Sequence, residues 1–240
     1  VIISHGSGGT NLGHRSIAFA LVKKGFVVGM PLHPKNNYRN NEGEGSVSNW
    51  INRPLHISAA IDAVLADRNI SASIDPHKIA VIGHSAGGYA ALAVAGATAD
   101  IKHVVALCRS GQQVNEPFCG LVKDNKTVTK KIENARDERV KALVLMAPVG
   151  ILFKSKGALA KVDIPTLLFK AEKDRELTEP NHAQLIASNF SNKQLLTYCT
   201  VPNAGHYSFI TPFPKGMASE LGVVAEDPDG FDRDVFHRSL

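Results

Sequence analysis

An uninterrupted apolar stretch of about 18 residues, the least that reads as a membrane-crossing helix, is absent from this 240-residue sequence. The apolar stretches are short, such as Ala142–Pro148, and read as buried strands. A transmembrane segment is therefore not expected. Dense charge of one sign is also missing. Lys and Arg outnumber Asp and Glu by 27 to 22, a net charge of +5, but Lys130-Lys131 and Lys154–Lys161 are the nearest things to clusters. A nucleic-acid partner needs a basic stripe or patch, so none is expected. Cysteine is scarce. Cys108, Cys119 and Cys199 form no C-x-x-C metal or redox motif. Cys108 and Cys119 flank a polar loop. A bond between them implies an oxidising compartment, periplasmic or secreted; free thiols leave the cytoplasm. No internal repeat, low-complexity tract or signal peptide is visible. The chain starts at Val1 in a strand-like segment and reads as processed or trimmed.

What is present suits one α/β domain spanning 1–240, since 44% of the residues are apolar. Val1–Ser4, Phe26–Met30, Lys78–Gly83, Val140–Met146, Thr166–Lys170 and Gln194–Val201 read as strands. Leu12–Lys24, Trp50–Asn69, Ala86–Ala97, Asn181–Ser188 and Phe231–Leu240 read as helices from their spacing. Pro31–Ser48 is a long polar loop, and Ile101–Leu107 is a strand or the start of an insertion. The polar stretch within 101–139 is expected to be a lid or insertion over a site. Alternating strands and helices predict a mostly parallel central sheet with helices on both faces.

The strongest chemical signal is Gly83-His84-Ser85-Ala86-Gly87, a G-x-S-x-G pattern with a strand before it and a helix after it. A serine on so sharp a turn projects its hydroxyl above the sheet, and small neighbours let the turn close. A hydroxyl needs an adjacent base to act as a nucleophile at neutral pH. Of ten histidines, His206 is the candidate, because its Gly-containing loop follows the last strand. His84 is read as supporting the turn, His77 as lying at the wrong end of a strand, His182 as opening a helix and His237 as lying on the last one. The imidazole needs a carboxylate to fix its tautomer. Asp174 is the choice and Glu172 the rival. The order Ser85, Asp174, His206 is the nucleophile–acid–base order of the α/β-hydrolase fold. An oxyanion site is expected from the amide of Ala86 and from His5-Gly6-Ser7-Gly8-Gly9, with Ser7 first and Gly6 second. That loop has no lysine, unlike the phosphate-binding G-x-x-x-x-G-K-S/T pattern.

Taken with Ser4–Gly9, Gly83–Gly88, Lys173-Asp174, Gly205-His206-Tyr207-Ser208-Phe209 and Gly230–His237, the chain resembles the bacterial dienelactone-hydrolase-like and platelet-activating-factor-acetylhydrolase-like branch of the α/β hydrolases. The resemblance runs across nearly the whole chain and implies that fold. Dienelactone hydrolases proper use a cysteine nucleophile, and Ser85 here argues against dienelactone itself. The branch also has one or two strands before the oxyanion loop, and their absence makes the N-terminal strands look missing.

The expected activity is hydrolysis of a small-molecule carboxylic ester, lipid-like esters included, through Ser85, His206 and Asp174, with no cofactor and no metal. The alternatives are a peptidase or amidase using the same residues, a non-catalytic binding module, and a trimmed, inactive enzyme. Tyr207, Phe209 and Phe213 are candidates for a substrate pocket or for packing. Trp50 and Tyr38 border the long loop and are candidates for shaping an entrance. Arg39, Arg53 and Arg109 are candidates for binding a substrate carboxylate or phosphate, with plain surface arginines as the commoner reading.

Overall fold

The computed structural model describes residues 1–111, 119, 135–214 and 216–239. Five strands, β1 (Ile2–Ser4), β2 (Ile79–His84), β3 (Val140–Met146), β4 (Thr166–Ala171) and β5 (Leu196–Val201), pair in parallel in that order. Their register aligns Ser4 with Gly83 and His84 with Met146. The helices are α1 (Arg15–Lys23), α2 (Val47–Ala66), α3 (Ala86–Val94), α4 (Ile101–Arg109), α5 (Ala183–Asn189), the single turn α6 (Ala218–Leu221) and α7 (Arg233–Ser239). Among the described residues, no helix is long and apolar enough to cross a membrane.

The two-residue period of a strand divides the core in two. Ile2, Val81, Leu143, Leu145 and Leu168 pack with α2, α3, α4 and α5. Ile3, Ile82, Val144, Met146, Phe169 and Val201 face α1 and α7. Every residue of α3 is buried. Removing Tyr89, Leu92 and Val94 from water contributes about 1.5–3 kcal/mol each.

Two elements differ from the sequence reading. Phe26–Met30 is not a strand. Its backbone runs beside β1, with Gly29 bridged to Ile2 and hydrogen bonds of 2.9 Å from Ile3 N–H to Gly29 O and 2.8 Å from Gly29 N–H to Val1 O. With only three residues in β1, no longer ladder can form. Ile101–Leu107 lies in helix α4. The Asp100 carboxylate caps it by accepting the His103 N–H at 2.9 Å, and Ile101, Val104 and Val105 form a buried helical face. The β-branched residues resembled a strand, but the cap and their spacing favour the helix. Cys108 at the end of α4 is disulfide-bonded to Cys119. The remainder of the expected lid, 112–118 and 120–134, lies outside the described residues.

Residues 27–29 lie on one side of β1 and β2 on the other. The chain thus changes direction at β1, and a crevice opens at the carboxyl ends of β1 and β2, where ligands sit in open α/β sheets. The Gly-rich loop and Ser85 both emerge there.

Candidate active site

Strand β2 ends at His84, and helix α3 begins at Ala86. Ser85 joins them at φ 55°, ψ −118°, a left-handed turn that a side chain disfavours. The surroundings fix it. Ser85 N–H donates to Met146 O, and its carbonyl accepts from Val149 and Gly88, each at 3.0 Å. The flanking glycines are required by space. A Cβ on Gly83 would lie 2.3 Å from Gly87 O, and one on Gly87 would lie 2.0 Å from Ser4 O.

Asp174 follows β4, and His206 follows β5 through a turn in which Asn203 takes a φ of 57°. Their side chains meet at 2.8 Å, Nδ1 to Oδ2, and both are buried. The second carboxylate oxygen accepts the N–H groups of Glu176 (2.9 Å) and Leu177 (2.8 Å). Glu172 instead accepts Asn203 N–H at 2.7 Å. Other contacts hold the His206 loop. His84 Nε2 donates to the His206 carbonyl at 2.9 Å, and burial holds the His84 pKa well below its usual value. That ring therefore supports the loop that carries His206. Ser208 Oγ donates to Asp227, which is paired with the buried Arg233 of α7, and His237 bonds to Ser208 O at 3.1 Å.

The Gly-rich loop leaves β1 and folds back on itself. Gly6 O accepts Gly9 N–H at 3.2 Å and His5 Nδ1–H at 2.7 Å. Gly6 lies against Ser85, since a Cβ there would come within 3.2 Å of Ser85 Cβ. Ser7 Oγ donates to Glu44 Oε1 and accepts from Asn36 Nδ2, both at 2.8 Å. Ala86, in the first turn of α3, has no carbonyl four residues back within the helix to bond its N–H.

These elements enclose a cavity of about 670 Å³. Ser85, Ala86, His206 and the 5–9 loop line it, while Asp174 stands behind His206. Tyr38, Trp50, Tyr207 and Phe213 also line it; Phe209 is packed in the core instead. Burial and the nearby carboxylates of Glu176, Asp174 and Glu44 push the Tyr207 pKa up to about 12. Among the described residues, no cluster of three or more His, Cys, Asp or Glu side chains is suited to a metal ion.

The reading of Arg53 as a surface residue is overturned, because it is completely buried. With it the sequence reading missed His33, His56 and Asn36, which form a polar cluster with His5 of the loop. One signal was available. Arg53 stands four and eight residues before Ile57 and Ile61, on the same buried face of α2.

The fold and this arrangement define a serine hydrolase of the α/β-hydrolase class. More particularly, the chain belongs to the prolyl oligopeptidase family, whose sequence model matches residues 57–216, a span that includes Ser85, Asp174 and His206. A solved dienelactone hydrolase-like promiscuous phosphotriesterase from metagenomic libraries shares the fold. It aligns with a TM-score of 0.58 and 16% identity over 99% of this chain and 81% of that one, in accord with the dienelactone-hydrolase-like resemblance. Comparison with curated proteins finds no match.

Proposed function

We propose that the protein hydrolyses carboxylic esters through an acyl-enzyme on Ser85. The observation that carries this reading is the convergence of Ser85, the Asp174-paired His206 and the Gly-rich loop on one cavity. His206 Nε2 takes the hydroxyl proton as Ser85 Oγ attacks the carbonyl carbon. The resulting oxyanion accepts hydrogen bonds from the Ser7 and Ala86 amides, with Gly6 as a further donor. Collapse expels the alcohol, which receives the proton from His206. Water, deprotonated by the same imidazole, then attacks the acyl carbon and releases the acid and free Ser85. Asp174 holds the imidazole with Nε2 facing the nucleophile.

Residues 1–240 are read as one hydrolase domain, with 101–139 as its lid or insertion, acting on small esters that include lipid-like ones. The Cys108–Cys119 bond supports an oxidising compartment.

Ser85→Ala should abolish hydrolysis of a short p-nitrophenyl ester and covalent labelling by a fluorophosphonate. Full activity in that variant would sink the proposal. Membership of the prolyl oligopeptidase family favours a second reading, amide hydrolysis by the same residues. Rates on matched ester and amide substrates separate the two. The relative's description as a promiscuous phosphotriesterase earns a phosphotriester a place in the same panel.

A further inference from the structure

Arg53 is a charged side chain with no exposed surface. Its Nη1 donates to Asn36 Oδ1 at 2.6 Å, and its Nη2 donates to the carbonyl of His5. Its Nε is buried with no acceptor, and no carboxylate pairs with it among the described residues. Burial pushes the guanidinium pKa down to about 9, which leaves it cationic at neutral pH. A buried cation without a counter-ion is costly, and an apolar side chain of similar volume is often at least as stable in such a place. Stability alone therefore does not account for arginine here.

The carbonyl that Arg53 holds does account for it. A trans peptide directs its C=O and N–H to opposite sides, and among the described residues Glu179-Pro180 is the one cis bond. Arg53 anchors the carbonyl of the His5–Gly6 peptide. His5 Nδ1–H and Gly9 N–H anchor the carbonyl of the next peptide, Gly6–Ser7. Two consecutive carbonyls are thus tied back. The Gly6 and Ser7 N–H groups point away from those anchors, and neither has an acceptor among the described residues. The loop that carries them lines the cavity, with Gly6 against Ser85.

Two details reinforce the anchor. The His5 ring is neutral, because burial and the Arg53 charge push its pKa down to about 3. It donates from Nδ1 and accepts His33 N–H on Nε2 at 3.2 Å. Helix α2 is held in turn. Pro54 leaves the Trp50 carbonyl without its helical partner, and the buried Tyr89 hydroxyl of α3 donates to that carbonyl at 2.9 Å. The turn of α2 that leads into Arg53 is thereby fixed to α3, the helix that follows Ser85.

We propose that Arg53 is a positioning residue of the oxyanion site, acting through the His5 carbonyl to aim the Gly6 and Ser7 amides at the oxygen that becomes negative when Ser85 attacks. A guanidinium donating to a peptide carbonyl also polarises that peptide and strengthens its N–H as a donor. The inference rests on the hydrolase reading above.

The test compares wild type, Arg53→Lys and Arg53→Met on a p-nitrophenyl ester. Active sites are counted by fluorophosphonate labelling taken to completion, which removes any difference in folded fraction. Affinity for an alkyl boronic acid, whose tetrahedral adduct presents an oxygen to the same donors, is the second readout. Per labelled site, Arg53→Met should lose about 10²-fold in kcat, the scale of one missing oxyanion donor, with KM within about threefold. Boronate affinity should fall by a similar factor, and Arg53→Lys should recover part of both. A kcat per site within threefold of wild type, or failure of both variants to give any labelled protein, would overturn the proposal and leave Arg53 a stabilising residue. A wild type that neither hydrolyses the ester nor takes the label overturns the hydrolase reading, and this proposal with it.

Discussion

His206 Nδ1 lies 2.8 Å from Asp174 Oδ2, and the other oxygen of that carboxylate is held by two backbone N–H groups. The carboxylate cannot rotate without losing these bonds, so it fixes the plane and tautomer of the imidazole. Asp174→Asn puts an amide in its place. An NH₂ facing Nδ1 forces the proton to Nε2, where it cannot accept from Ser85. The expected loss in kcat is about 10³- to 10⁴-fold at nearly unchanged KM. Glu172 is committed to the Asn203 amide, and Glu172→Gln should stay within about twofold. Steady-state kinetics of the two variants test the assignment, and the reverse order of losses would transfer the role to Glu172.

Backbone strain at Ser85 separates activity from stability. Its φ of 55° disfavours any side chain and suits glycine. Ser85→Ala keeps the β-carbon and its strain, whereas Ser85→Gly relieves it. Both variants should be inactive, with the glycine variant more stable by about 1–2 kcal/mol. Thermal or urea melts of the pair measure this. A Ser85→Gly variant no more stable than Ser85→Ala would mean that the turn holds little strain.

The glycines of this region are not equivalent. A Cβ on Gly87 would lie 2.0 Å from Ser4 O, and both backbones are locked, one in α3 and the other in β1. Gly87→Ala must therefore push β1 away from α3, at a cost of about 3 kcal/mol or more. At Gly13 the nearest atom would be Thr10 Cγ2 at 3.8 Å, so Gly13→Ala should fall within about 1 kcal/mol of wild type. Urea midpoints rank the two, and equal losses would count against the packing described here.

The turn around Ser85 was legible because its requirements are local. A strand pattern, small residues at fixed offsets and an apolar helix all lie within Ile79–Val94. The pairing of Asp174 with His206 was legible from their order after successive strands. The errors fell where an element depends on distant partners. Phe26–Met30 has the composition of a strand but meets only the short β1. Ile101–Leu107 has the β-branched residues of a strand, yet Asp100 caps it as a helix. The cluster of His5, His33, His56 and Arg53 joins residues up to 48 positions apart, and no spacing rule brings such residues together. Its one trace in the sequence is the place of Arg53 on the apolar face of α2.

The buried histidines carry a consequence for acid stability. His14 is fully buried and donates from Nδ1 to Phe209 O at 3.0 Å. Burial pushes its pKa from 6.5 down to about 4. His5 is pushed to about 3, and His84 lies well below 6.5 for the same first cause. Between pH 6.5 and 4 the unfolded chain takes up these protons and the folded chain does not. The contribution is therefore fully present above pH 6.5 and is lost as pH falls through that window, by about 1.4 kcal/mol per pH unit for each fully responding group. Carboxylates stabilised in the fold act in a different range. Asp137, whose pKa its bond to Arg139 lowers from 3.8, loses its contribution only below that value. A decline starting near pH 6.5 is thus the signature of the histidines. Urea denaturation at pH 7.5, 6, 5 and 4.5 should show the midpoint falling steadily from the second point onward. A midpoint flat down to pH 4.5 would mean that these rings take up protons in the folded state as readily as in the unfolded chain.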